Sequence, residues 1–288
     1  ESIKGQFVYA KPNFNYTDNT LFTSIKSSTS DFLTNSGYKT SEIGFSLGTQ
    51  FEQFQNIFLS PEIDFLIEDL ETTDTASSIL KKQEGSYTDL YFNYSINQDL
   101  RDKKFRTESG YVTTFSQELP LVSDNAELSN AFVITNYKKL SSTSNMIGKA
   151  SFYGKTINGL NDDVRISKRL NVPSSRLRGF QRGKVGPVEN NDYIGGNYVT
   201  SLNFSATLPN LVEGFDNLDV GIFVDAANIW GVDYDSSIDD KSTLRSSTGV
   251  ALNLMTPIGP LSFSFANALS KASTDKTETF RFNLGTQF

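Results

Sequence analysis

The 288-residue chain contains no cysteine and no histidine. A thiol nucleophile, a zinc site of the usual ligands and a serine–histidine triad are therefore excluded. The missing cysteines leave the redox compartment open, because outer-membrane and periplasmic proteins can do without disulfides. Positive charge is also scarce: 26 Lys and Arg against 33 Asp and Glu leave a net charge of −7. Nucleic-acid binding needs a basic stripe, so no nucleic-acid partner is expected. No run approaches the roughly 20 continuous apolar residues of a membrane helix. The opening ESIKGQFVYAKP has neither a basic n-region nor an apolar h-region, so no signal peptide is visible there. Such a start fits a protein that is not exported, or a mature or truncated piece of a longer one.

What is abundant is aromatic. Phe and Tyr number 23 and 12, and aromatics reach 12% of the chain, while mean hydropathy is negative. Many aromatics in a polar chain fit a transmembrane β-barrel, in which a lipid face and a polar lumen alternate residue by residue. Period-two alternation recurs along the sequence and helical periodicity is nearly absent. Ile43, Phe45, Leu47 and Phe51 oppose Gly44, Ser46, Gly48 and Gln50; Leu90, Phe92, Tyr94 and Ile96 oppose Asp89, Tyr91, Asn93 and Ser95. Tyr198, Leu202, Phe204 and Leu208 oppose Val199, Ser201, Asn203 and Ser205, and Leu261, Phe263, Phe265 and Leu269 oppose Ser262, Ser264, Ala266 and Ala268.

An antiparallel β-sandwich also alternates. Here, however, the apolar face persists through nearly every segment, and the other face is too small and polar for most soluble surfaces. Short turns are expected near residues 52–56, 99–106, 141–145, 209–216 and 257–259, and longer polar loops near 30–38, 68–86, 158–195, 231–243 and 270–277. Short turns on one rim and long loops on the other are the asymmetry of outer-membrane barrels. About thirteen strands are predicted, near 2–10, 20–29, 40–51, 55–67, 86–98, 109–119, 127–140, 145–157, 196–208, 217–229, 244–256, 260–269 and 278–288. Bacterial single-chain barrels take even numbers, which suggests a miscounted strand or a missing N-terminal piece.

No catalytic constellation emerges, and no enzymatic activity or cofactor is expected. Glu62, Asp64 and Glu68 alternate along one strand face and read as a polar lumen wall rather than an acid–base pair. GQFVYAKP and GGNYV lack the strand–glycine–helix context of phosphate loops. The informative segment is 158–195, which places Arg165, Lys168, Arg169, Arg176, Arg178, Arg182 and Lys184 in an acidic chain. A loop of this length is usually functional or disordered. On charge alone it could be a solvated loop that binds anionic lipid heads.

Individual motifs sharpen the reading. Arg178-Gly179-Phe180 in SSRLRGF resembles the VRGF/Y motif of the outer-membrane protein assembly factor (BamA) family. Gly195-Gly196-Asn197 resembles that family's GGN strand start. VGIFVDAANIW is similar to its FxDxGxVW strand, with Ala227 where glycine is usual. Residues 248–288 are similar to the family's C-terminus, including the S/TPxGPL turn and the DKxExFxFxxGxxF end. DLRDKKFRTESGY resembles its DxRDxxxxPxxGY hairpin without the proline, and VYAKPNF sits like its NPYF turn. The resemblance spans at least residues 98–288.

The resemblance implies a sixteen-stranded outer-membrane barrel, of which this chain would hold about thirteen strands. The first strands and the periplasmic POTRA domains would be missing. It also implies that residues 158–195 fold into the lumen, with Arg178, Gly179 and Phe180 latching onto Asp225. Asp225 shares parity with Gly221 and Phe223, as an inward residue must. The family's second carboxylate falls at Ser205, leaving Arg178 one recognisable partner. By resemblance the barrel folds and inserts β-barrel proteins through lateral gating and strand templating. Its partners would be unfolded outer-membrane proteins, accessory lipoproteins of the BAM complex and outer-membrane lipid. Phe280, Phe282, Leu284, Gly285 and Phe288 would form the closing gate strand, resembling the C-terminal signal of the machine's own clients. A TamA-like or two-partner secretion transporter of the same superfamily, and a passive porin, are the alternatives.

Overall fold

The computed structural model describes residues 2–104, 106–141, 143, 145–209, 211, 217–256 and 259–284. Strands β1 (Ser2–Lys11), β2 (Thr20–Asp31), β3 (Tyr38–Phe54), β4 (Ile57–Thr72), β5 (Gly85–Asp99), β6 (Gly110–Ser123), β7 (Glu127–Lys139) and β8 (Ile147–Gly159) each lie beside the next. After a small separate hairpin, β9 (Val188–Glu189) with β10 (Asp192–Tyr193), the sheet resumes with β11 (Tyr198–Pro209), which pairs directly with β8. Strands β12 (Leu218–Trp230), β13 (Arg245–Thr256), β14 (Gly259–Ser270) and β15 (Phe280–Leu284) complete a thirteen-stranded antiparallel sheet. Among the described residues β1 and β15 each have one neighbour.

The alternation in the sequence becomes two faces. Ile43, Phe45, Leu47, Ile63, Phe65, Ile67, Phe204, Ile222 and Val224 are exposed on the outer face. Their strand neighbours Ser46, Leu66, Glu68, Phe223 and Asp225 are buried on the inner face. The exposed apolar face is the surface an outer-membrane barrel presents to lipid, where every backbone group must be bonded within the sheet. Cross-strand aromatic pairs reinforce it: Phe263 with Phe282 and Phe265 with Phe280, both 5.1 Å between ring centres.

The predicted strand positions match the structure to within a few residues, apart from the strands that run further toward the long-loop rim. There β4 continues to Thr72 and β6 to Ser123. The expected asymmetry of loop lengths is corrected in two places. On the long-loop rim, β6 and β7 are joined by residues 124–126 alone. On the other rim, residues 100–109 are no tight turn. There Asp102 accepts the N–H groups of Lys103 (3.0 Å), Glu108 (3.1 Å) and Ser109 (3.3 Å), which fixes the longer loop. The β3–β4 hairpin turns through residues 55–56 alone, with Asn56 at φ 61° in the left-handed conformation that Asn tolerates well. The expected turns at 209–216 and 257–259 fall largely outside the described residues.

The apolar core lies between the inner wall and the segment linking β8 to β11. Val164, Leu170, Leu177 and Phe180 from that segment pack with Ile157, Val199 and Ile229 from the wall. Burying each such side chain contributes about 1.5–3 kcal/mol. Ile166 and Ile194 from the same segment join Tyr38, Leu70 and Leu80 near the long-loop rim. The inner face therefore folds around residues 160–197.

The two faces should respond differently to charge. Val224→Lys on the outer face is expected to cost about 2–4 kcal/mol if it sits near the bilayer midplane. Ser205→Lys on the inner face should cost clearly less. Urea unfolding midpoints in detergent or lipid measure both, and equal losses would contradict the assignment of faces.

Candidate functional site

Asp225 on β12 is fully buried on the inner face. The Arg178 guanidinium donates to it through Nε (2.7 Å to Oδ2) and Nη2 (2.8 Å to Oδ1), and the Arg178 N–H adds a third bond of 3.1 Å. This planar fork is a geometry that lysine cannot reproduce. The guanidinium carbon also lies 3.4 Å from the centre of the Phe223 ring, a cation–π contact. The position opposite Asp225 on β11 is Asn203. Its Nδ2 donates to Asp225 Oδ1 (2.9 Å) and to the Arg176 carbonyl (2.7 Å). Asn203, not a second carboxylate, thus completes the Asp225 shell. Ser205 pairs with Phe223 two residues away in the ladder.

Gly179 has φ +88°, and a Cβ there would lie 3.1 Å from Ala266 Cβ and 3.3 Å from Ser247 Cβ. A larger residue would be both strained and pushed off the wall. Phe180 follows, 1% exposed, in the apolar core. Gly195 has φ +74°, and a Cβ there would sit 2.6 Å from the Leu170 carbonyl. This lets Gly196 and Leu170 exchange both backbone hydrogen bonds, 2.8 and 3.0 Å. Asn197 then donates to Asp233 Oδ2 (2.8 Å) and accepts from Arg169 Nη1 (3.1 Å), while Arg169 Nη2 also bonds Asp233. The glycine–glycine–asparagine motif therefore knots the two ends of the loop to the β12–β13 connection. Burial alone would raise the Asp233 pKa, but Arg169, the Val164 N–H and Asn197 hold it below the usual carboxylate value.

The largest charge cluster was not visible in the sequence. Arg165 is fully buried and meets three carboxylates from three strands: Glu68 on β4 (3.3 Å), Asp89 on β5 (2.7 Å) and Glu127 on β7 (3.0 Å). Glu127 is bidentate, accepting from Nε and Nη2 at 3.0 Å each. The Tyr87 ring lies 4.5 Å from the guanidinium. Desolvation would lower the arginine's pKa, but the bonds and charges of Glu127 and Asp89 raise it above its ordinary value. Glu68, expected as plain wall, is thus a buried ion-pair partner, whereas Asp64 meets Lys26 at 2.8 Å. A further buried pair, Arg245 with Asp275 (2.9 Å), joins β13 to the β14–β15 connection. Arg165 stood out only as one of seven cations in the loop and Arg245 not at all, because the partners of both are distant in sequence.

Of the expected closing-strand residues, Phe280, Phe282 and Leu284 are exposed on the outer face of β15. Gly285 and Phe288 lie outside the described residues. Arg281, on the inner face between them, donates to the carbonyls of Ser174 (2.5 Å) and Phe180.

An antiparallel sheet with an exposed apolar outer face and a long loop held against a charged inner wall defines an outer-membrane β-barrel. The family described as the Omp85 superfamily domain matches residues 2–288, and the chain belongs to that superfamily. Among curated proteins, the outer membrane protein assembly factor BamA of Neisseria meningitidis serogroup B is 31% identical over 141 residues, 39% of this chain and 17% of the relative. BamA of Neorickettsia risticii is 24% identical over 200 residues, 68% of this chain and 27% of the relative. The crystal structure of BamA from Haemophilus ducreyi lacking POTRA domains 1–3 shares the fold with a TM-score of 0.82 and 21% identity, over 98% of this chain and 61% of that one. The matched regions are thus about a sixth and a quarter of the two curated relatives' lengths.

Removing Arg165 takes the shared counter-charge from three buried carboxylates and leaves only Lys168, 3.8 Å from Glu68, whereas removing Arg178, itself 21% exposed, uncovers Asp225 alone, which keeps its bond from Asn203. Arg165→Ala should therefore destabilise by about 3–5 kcal/mol, and Arg178→Ala by distinctly less. The temperature at which the folded band is lost on unheated-versus-heated gels ranks the two, and the reverse ranking would overturn this reading. For Asp233, the depressed folded-state pKa means that its stabilisation is present above the unfolded value near 3.8 and is lost as pH falls below it. Proteolysis of residues 160–197 should accordingly be slow from pH 5 to 8 and accelerate toward pH 3 in the wild type. Asp233→Asn should flatten that profile.

Proposed function

We propose that this chain is the barrel of the machine that folds and inserts β-barrel proteins into the bacterial outer membrane. The observation that carries the reading is the Arg178–Asp225 fork: an RGF loop seated on the inner wall of a fold shared with BamA. Membership of the Omp85 superfamily and the names of the two curated relatives support it. Its partners are unfolded outer-membrane proteins, accessory lipoproteins and the surrounding lipid.

In this reading no covalent bond is made or broken; the barrel lowers a kinetic barrier. An incoming strand cannot leave its backbone groups unsatisfied in hydrocarbon. A weakly paired edge of the sheet offers it a template, and the client grows by β-augmentation. The seated loop keeps the inner wall rigid and closes the interior to free diffusion while the edge works. A passive porin needs an open constriction lined with charged rings, and residues 160–197 occupy that space with apolar side chains.

Arg178→Ala should lower the outer-membrane content of folded β-barrel clients several-fold. Arg182→Ala, at an exposed position of the same loop, should leave it near wild type. Equal effects would reduce the motif to generic loop charge. Depletion that leaves client assembly intact would favour a TamA-like or two-partner secretion transporter. In planar bilayers a small flickering conductance is expected, and a stable large pore would overturn the reading in favour of a porin.

A further inference from the structure

The segment that leads into β15 is laddered to the loop, while β15 itself is paired with β14. Strand β15 pairs with β14 over five described positions, from Phe280 opposite Phe265 to Leu284 opposite Leu261. Just before it, the chain docks on the loop as a second ladder. The Gln181 N–H donates to the Lys276 carbonyl (2.9 Å), the Lys276 N–H to the Lys184 carbonyl (3.0 Å) and the Glu278 N–H to the Gly179 carbonyl (3.0 Å). Tyr193 donates to the Thr274 carbonyl at 2.6 Å, and the Gly186 N–H donates to Asp275 at 3.2 Å.

Arg281 joins the two ladders. It stands opposite Ser264, which is 4% exposed, so its side chain is on the inner face. Its side chain is 10% exposed, and its fork is shared among three acceptors: Glu278 Oε1 (2.5 Å), the Ser174 carbonyl (2.5 Å) and the Phe180 carbonyl. Two of these belong to the loop and bracket, along the sequence, Arg178, the residue that grips Asp225. Charge-assisted bonds of this kind are among the stronger hydrogen bonds in proteins.

We propose that Arg281 is a positioning residue that couples the seating of the loop to the pairing of the last strand. Strand β15 stays zipped to β14 while residues 174–186 are in place, and it loosens when they leave. Because the coupling is a free energy between two sites, it acts in both directions: a loosened β15 also loosens the loop. The inference rests on this geometry and is independent of the assembly reading, since its test involves no client.

Hydrogen–deuterium exchange of the full chain in lipid nanodiscs tests it. Asp225→Asn unseats the loop without touching β15, and it should speed exchange at residues 280–284 by about tenfold or more, the scale of losing one charged hydrogen bond. Arg281→Ala should speed exchange at 280–284 and at 179–184 together. Arg281→Lys, which keeps the charge but loses the fork, should fall between Ala and wild type. A cysteine-free chain allows a clean rescue. A disulfide between Gln181→Cys and Lys276→Cys, at adjacent backbone-bonded positions, should restore slow exchange to both segments of Arg281→Ala. The proposal is overturned if Asp225→Asn leaves 280–284 unchanged, if Arg281→Ala alters β15 alone, or if the disulfide fails to rescue.

Discussion

Backbone N–H and C=O groups that face hydrocarbon have no water to bond, and this one constraint organises the molecule. It demands that each strand pair with its neighbours, so the described residues are spent on thirteen antiparallel strands joined neighbour to neighbour. It turns the usual burial rule inside out: Phe45, Ile63, Phe204 and Val224 stand outside, and Glu68, Asp89, Glu127 and Asp225 inside. A wall of inward carboxylates then needs counter-charge, because isolated charges away from water are costly. The loop between β8 and β11 supplies it.

That loop behaves as a strut, with its arginines as end fittings. Arg165 meets carboxylates on β4, β5 and β7, Arg169 meets the β12–β13 connection, and Arg178 meets β12. The attachments are on both halves of the sheet, with apolar side chains filling the span between them. Buried ion pairs are weak evidence of net stability, since desolvation offsets much of their attraction. Their value here is geometric: a guanidinium fork accepts one orientation of its carboxylate and so fixes where the loop sits. The glycines serve the same end: Gly195 lets backbone approach backbone where a Cβ would collide, and Gly179 lets the loop lie close against Ala266 and Ser247. The loop's seating and the strand pairing around it are therefore parts of one packed unit.

The fold was largely legible because a membrane β-strand writes its environment into every second residue. Asp225 could be assigned inward from parity alone, with Gly221 and Phe223 as its companions, and the structure buries all three. The pairing of Arg178 with Asp225 rested on motif resemblance, since the two are 47 residues apart. The Arg165 cluster was out of reach: its partners are 97, 76 and 38 residues away on three strands. No local pattern separates an arginine at such a convergence from its solvated neighbours, and Glu68 accordingly read as plain wall. Asn203 was missed for a related reason. Its contact with Asp225 depends on the β11–β12 register, and the register is set by pairing across the whole sheet.

The sequence by itself determined the class of protein, the number and place of the strands, which face of each meets lipid, and the motif that marks the loop. These are properties of single strands and short motifs, carried by period-two alternation and fixed residue spacing. Only the tertiary structure decided which carboxylates grip which arginines, that an asparagine completes the Asp225 shell, and that Arg281 binds the loop to the last strand. Those contacts arise when a sheet curves around a loop and brings together side chains that are far apart along the chain, a convergence that local patterning cannot encode.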